Sequence, residues 1–115
     1  GIVVGTGNKV EDFGVGFYTK YGDGGVDISP IADCNKTEVW ELGKELGILK
    51  EIIDAPPTDG LWDDGRTDEG QLGLSYKELE EAMDNENSIN RDKYNSIRSA
   101  NLHKMEPIPV CKIPN

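Results

Sequence analysis

Histidine and cysteine are scarce in this chain of 115 residues, and each scarcity closes off a class of chemistry. His103 is the one histidine, which excludes a two-histidine metal site and leaves no Ser-His-Asp triad to be built within the chain. Cys34 and Cys111 are too few and too far apart for a disulfide framework or a zinc site. No apolar run approaches the ~18 residues of a transmembrane helix, and no basic-plus-apolar leader opens the chain. Positive charge is also short: 12 basic against 22 acidic side chains give a net charge of −10. That balance argues against nucleic acid or anionic membrane as a partner. What is present suffices for a core, since Leu, Ile, Val and Phe make up 27 of 115 residues, above the roughly 20% below which charged chains stay disordered. A single small domain is expected, soluble and cytoplasmic.

The acids cluster. Residues 51–90 carry 12 acidic and 2 basic side chains, whereas residues 91–115 carry 2 acidic and 5 basic ones. An acidic middle beside a basic tail is consistent with a solvated surface, or with a tail that meets an anionic ligand. Ile2-Val3-Val4 reads as a buried strand covered on both faces, as in a parallel sheet. A strand of that kind normally sits between neighbours, so a piece of a larger domain is expected. Gly5-Thr6-Gly7-Asn8 then forms a turn, and the glycine-rich stretch 14–25 reads as loop with a short helical turn at Phe17-Tyr18.

Helical signals are clearer. Asn35 and Glu38 resemble a capping box for a helix over Lys36–Leu46, with Val39, Leu42, Gly43 and Leu46 on one face and Gly47 as the stop. A short helix is expected over Leu49–Ile53, ended by Pro56-Pro57. Thr58 to Gly73 reads as loop, Ser75 and Glu78 cap a helix from Tyr76 to about Met83, and a last helix covers Arg91 to about Leu102.

Three motif readings fail on spacing. The dinucleotide fingerprint G-x-G-x-x-G begins at Gly5-Thr6-Gly7 but meets Val at position 10. The acids at Asp59, Asp63, Asp64, Asp68 and Glu69 fit no EF-hand register, since Trp62 falls where a ligand is required. Asp23-Gly24-Gly25-Val26-Asp27 is close to the pyrophosphate loop S-G-G-x-D-S but lacks both serines.

Five blocks in order resemble one family, the ammonia-ligating catalytic region of the NAD synthetases. They are Gly5-Thr6-Gly7-Asn8-Lys9-Val10-Glu11, Phe17-Tyr18-Thr19-Lys20-Tyr21-Gly22-Asp23-Gly24-Gly25-Val26-Asp27, Lys36-Thr37-Glu38-Val39, Pro57-Thr58-Asp59-Gly60-Leu61-Trp62, and His103-Lys104 followed by Pro107. The resemblance implies an α/β fold: the C-terminal part of a Rossmann-like, ATP-pyrophosphatase-type parallel-sheet domain, mostly helical over residues 1–115. It implies a flexible, lid-like loop at about 56–73. The implied reaction is ATP-dependent amidation of deamido-NAD to NAD through an acyl adenylate, releasing AMP and pyrophosphate. Nitrogen comes from ammonia, or from glutamine through a separate domain.

The same resemblance assigns Thr6, Lys36 and Thr58 to ATP, and Glu11 to magnesium. It assigns Lys20, Asp27, His103 and Lys104 to deamido-NAD. A homodimer is implied as well. The family's S-G-G-x-D-S loop is absent here, so residues 1–115 alone are expected to be inactive. Lys36 at a helix N-terminus is electrostatically misplaced, and an anionic ligand at that terminus would explain it. Two rivals stand beside this reading: a non-catalytic, self-associating α/β remnant, and another amide ligase of the ATP-pyrophosphatase type.

Overall fold

The computed structural model describes residues 1–115, and its regular secondary structure is almost wholly helical, with long irregular segments between the helices. A one-and-a-half-turn π-helix spans Val10–Val15, followed by α1 (Lys36–Glu45), α2 (Lys50–Ile53), α3 (Asp68–Leu72), α4 (Tyr76–Asp84), α5 (Arg91–Asn101) and a 3₁₀ turn at Leu102–Lys104. The β content is a single parallel bridge between Val4 and Ile28, so the expected parallel sheet is not formed within these residues. Ile2, Val3 and Val4, expected as a buried strand, are 66%, 56% and 52% exposed. Their one-sided partner is the Val26–Ile28 segment, where the Val3 carbonyl accepts from Asp27 N–H and the Asp27 carboxylate accepts from Val3 N–H.

The core gathers where the π-helix, α4 and α5 meet. Val10, Val15, Leu72, Leu74, Tyr76, Leu79, Ala82 and Tyr94 form one buried cluster, with Phe17, Trp40, Met83 and Ile97 packed at its margin. The capping box at Ser75 is formed as expected: Ser75 Oγ accepts from Glu78 N–H at 3.1 Å, and Glu78 accepts from Ser75 N–H at 3.1 Å. That cap aims Tyr76, Leu79 and Ala82 inward. α1 and α2, by contrast, bury no residue. The Cα radius of gyration, 16.0 Å, exceeds the ~13 Å of a compact chain of this length. α1 reaches the packed centre through Trp40 alone among its apolar side chains.

Two segments expected as loop contain helix. Asn8, buried ahead of the π-helix, accepts from the N–H groups of Val10 at 3.0 Å and Glu11 at 3.2 Å, which starts the turn. Gly16 ends it at φ 72°, in the left-handed region, against Asn101 of α5. Arg98 and Lys104 reach across to the terminal carbonyls of this helix, Arg98 to Gly14 at 2.7 Å and Lys104 to Gly16 at 2.8 Å. In the acidic stretch, Thr67 Oγ1 accepts from Gly70 N–H at 3.1 Å and so caps α3. The loop ahead of α3 is closed at its base, where Asp68 N–H donates to Pro57 O at 2.9 Å. No helix is long and apolar enough to cross a membrane.

Candidate functional site

A polar cavity of about 310 Å³ opens beside the packed centre, lined by Thr6, Glu11, Phe17, Asp23, Lys36, Pro57, Thr58, Asp59 and Asp68. Four separate pieces of chain converge there. Thr6 comes from the opening turn, Glu11 from the first turn of the π-helix, and Lys36 from the first residue of α1. Thr58 starts the loop closed by Pro57 and Asp68. The four residues assigned from the sequence to ATP and metal thus share one cavity.

The interior of that wall is a hydrogen-bonded cluster. Lys36 Nζ lies 3.2 Å from Glu11 Oε1 and 5.0 Å from the centre of the Tyr76 ring. The Tyr76 hydroxyl, on a side chain only 1% exposed, stands 2.7 Å from Glu11 Oε1 and 3.0 Å from Asp68 Oδ2. Burial and the hydrogen bond to Glu11 push the Tyr76 phenol far above its ordinary range. Burial also raises the Asp68 carboxyl, against the opposing effect of its hydrogen bond from Tyr76. A phenol has one proton to donate. When Asp68 is protonated it donates to the phenol oxygen, and the phenol donates to Glu11.

Lys36 owes its place at a helix N-terminus to these internal partners, so an anionic ligand is not needed to account for it. The anion at that terminus is Glu80 of α4, which accepts from Thr37 N–H at 2.9 Å and Thr37 Oγ1 at 2.8 Å.

Four carboxylates, Glu11, Asp23, Asp59 and Asp68, face one ammonium, Lys36, around the cavity. Such a wall repels an anionic ligand unless a cation accompanies it. No three acidic, histidine or cysteine side chains stand close enough to enclose a metal by themselves. Magnesium needs only one or two carboxylates alongside ligand oxygens, and Asp68 Oδ1 is buried with no hydrogen-bond partner. The donor set therefore fits a magnesium ion carried in with a phosphate ligand.

A second cavity of about 210 Å³ adjoins the first, sharing Phe17, Asp23 and Asp59 and adding Tyr18, Thr19, Leu61 and Lys104. Lys104 spans from Gly16 O to within 5.7 Å of the Tyr18 ring centre. The other three residues assigned to the dinucleotide line neither cavity. Lys20 Nζ donates to the His103 carbonyl at 2.9 Å and to the Glu106 carbonyl, which fixes the tail beside the second cavity. The His103 side chain is exposed, and Asp27 is engaged with Val3 N–H.

Sequence reasoning passed over Asp12 and Tyr76, and it weighed Asp68 only as one acid of a calcium register that failed. Asp12 follows Glu11 and tucks its carboxylate against Gly7, where any Cβ would collide with it. Burial, with the charges of Glu11 and Asp23, raises its pKa to about 6. Asp68 had a usable signal, the Thr67-Asp68-Glu69 pattern of a capped first turn. Tyr76 had none, because an aromatic residue on an apolar helix face gives no hint of what its hydroxyl meets.

The family model for NAD synthase matches residues 1–111. An NH(3)-dependent NAD(+) synthetase from Methanosarcina mazei is 41% identical over 127 aligned positions, spanning 97% of this chain and 49% of the relative. Its counterpart from Archaeoglobus fulgidus is 44% identical over 118 positions, spanning 97% and 47%. Among solved structures, NMN synthetase from Francisella tularensis superposes with a TM-score of 0.86 at 35% identity, over 97% of this chain and 47% of that one. The chain spans about half the length of these relatives.

Proposed function

The chain belongs to the NAD synthase family, and from that premise we propose that it carries part of the active site of an ATP-dependent amide ligase that makes NAD from deamido-NAD and ammonia. One observation carries the proposal: Thr6, Glu11, Lys36 and Thr58, far apart in sequence, line a single polar cavity.

The division of labour follows from the side chains. Lys36 offers an ammonium to phosphate oxygens, held in reach by the Tyr76 ring and Glu11. Thr6 and Thr58 offer hydroxyl donors to the cavity they line. Glu11, with Asp68 behind it, would hold magnesium, which when bound neutralises phosphate charge and favours attack of a carboxylate at phosphorus. The adjoining cavity, with Lys104 and the Tyr18 ring, receives the nicotinate end. Adenylation of the nicotinate carboxylate releases pyrophosphate, and ammonia displaces AMP. Closure of the segment 58–67 over the cavity keeps water from the acyl adenylate.

The likeness to an NMN synthetase favours a second reading, in which the substrate lacks the adenylyl half and the product is NMN. Both are tested together in the complete natural chain, with ATP, magnesium and ¹⁵N-ammonia against deamido-NAD and nicotinate mononucleotide in parallel. The proposal expects label in NAD with one AMP and one pyrophosphate per turnover. Preference for the mononucleotide selects the second reading, and no labelled product from either rejects both.

A further inference from the structure

Tyr76 meets three of the charged side chains that line the cavity, Glu11, Asp68 and Lys36. Its hydroxyl meets Glu11 at 2.7 Å and Asp68 at 3.0 Å. Its ring lies under Lys36 Nζ at 5.0 Å, and the edge of Trp40 braces that ring at 6.3 Å between centroids, with the planes at 79°. Asp68 in turn closes the base of the 58–67 loop through its N–H to Pro57 O.

We infer that Tyr76 is a positioning residue: its hydroxyl fixes the rotamer of Glu11 and, through Asp68, sets the base of the 58–67 loop, so that the cation-facing carboxylate and the cover over the cavity are aligned by one buried phenol. The inference rests on the reading of Glu11 as a metal ligand. The physical reason is entropic and geometric. A glutamate has three rotatable bonds, and its only other partners are the Lys36 ammonium and a long contact of 3.4 Å from Asn8 N–H to its second oxygen. Partners that orient a metal ligand typically change metal affinity by about 10- to 100-fold.

The test uses the complete natural chain and three variants: Tyr76→Phe, Asp68→Asn and Glu11→Gln. Mn²⁺ affinity is read by electron paramagnetic resonance with α,β-methylene-ATP present, and folding by thermal unfolding. Tyr76→Phe keeps the ring and removes only the hydroxyl. It is expected to weaken Mn²⁺ binding about 10-fold with its cooperative unfolding retained, and Asp68→Asn to weaken it by a smaller factor in the same direction. Unchanged Mn²⁺ affinity in Tyr76→Phe, while Glu11→Gln loses the ion, overturns the positioning role and leaves the metal reading standing. Unchanged affinity in Glu11→Gln overturns the metal reading and this inference with it. Should Tyr76→Phe fail to fold, 4-fluorophenylalanine at position 76, which keeps the ring and nearly the volume but has no hydroxyl to donate, takes its place, and wild-type Mn²⁺ affinity there overturns the inference.

Discussion

The packed centre and the outer helices of this chain follow different rules. Where the π-helix, α4 and α5 meet, apolar side chains are sealed from water and the backbone ends are capped by side chains from neighbouring elements. α1 has an equally legible amphipathic pattern, yet Leu42 and Leu46 remain 43% and 70% exposed. An apolar stripe specifies a helix, but it stabilises the fold only where another element covers it. The candidate site lies on the seam. Glu11, Asp68 and Tyr76 come from the packed side, while Thr6, Lys36 and Thr58 come from the sparse side. Lys36 ties the two sides together through Glu11 and the Tyr76 ring.

Core truncation gives the strongest contrast. Leu79→Ala, at a fully buried position of α4, is expected to cost about 2–5 kcal/mol. Leu42→Ala in α1 is expected to cost under about 1 kcal/mol, both read by urea unfolding. Equal costs would erase the distinction between the two regions. Next, Lys36→Met in the complete natural chain should lower kcat/KM on the order of 100-fold and also lower the melting temperature, because Glu11 loses its ion-pair partner. A fall in melting temperature with kcat/KM unchanged would leave Lys36 only a structural partner of Glu11. Ser75→Ala removes the α4 cap and is expected to cost about 1 kcal/mol, measurable by the same unfolding curves.

The smallest effect is pH-linked. Asp12 is raised from 3.8 to about 6 in the fold. The folded carboxyl therefore binds its proton more tightly than the unfolded one, and the associated stability is complete below about pH 4 and lost as pH climbs through about 6. Asp12→Asn is expected to be more stable than the parent at pH 7 by up to about 1 kcal/mol, after allowance for solvent screening. At pH 4 the advantage should vanish. An advantage that persists at pH 4 would assign it to something other than the charge.

Local signals accounted for much of the helical framework. The Ser75–Glu78 box, the Gly47 stop and the Pro56-Pro57 break act within a few residues of themselves, so α4, α1 and α2 were readable directly. The π-helix was missed because its cap, Asn8, lies inside a glycine-rich turn that reads as loop. α3 was missed because five residues are too few for periodicity to register. Among the site residues, Thr6, Glu11, Lys36 and Thr58 were named from a resemblance rather than from their surroundings.

The sequence by itself determined the capped helices, the surplus of acid and the identity of the groups available for chemistry, because these depend on neighbours along the chain. Only the tertiary structure decided that Tyr76 joins Glu11 to Asp68, that Glu80 supplies the anion at the α1 N-terminus, and that Lys36 faces the cavity. Those contacts bridge 65, 43 and 25 positions respectively, or 8 for Tyr76 to Asp68. A hydroxyl or carboxylate carries no local mark of which distant partner will meet it once burial has removed water as the alternative.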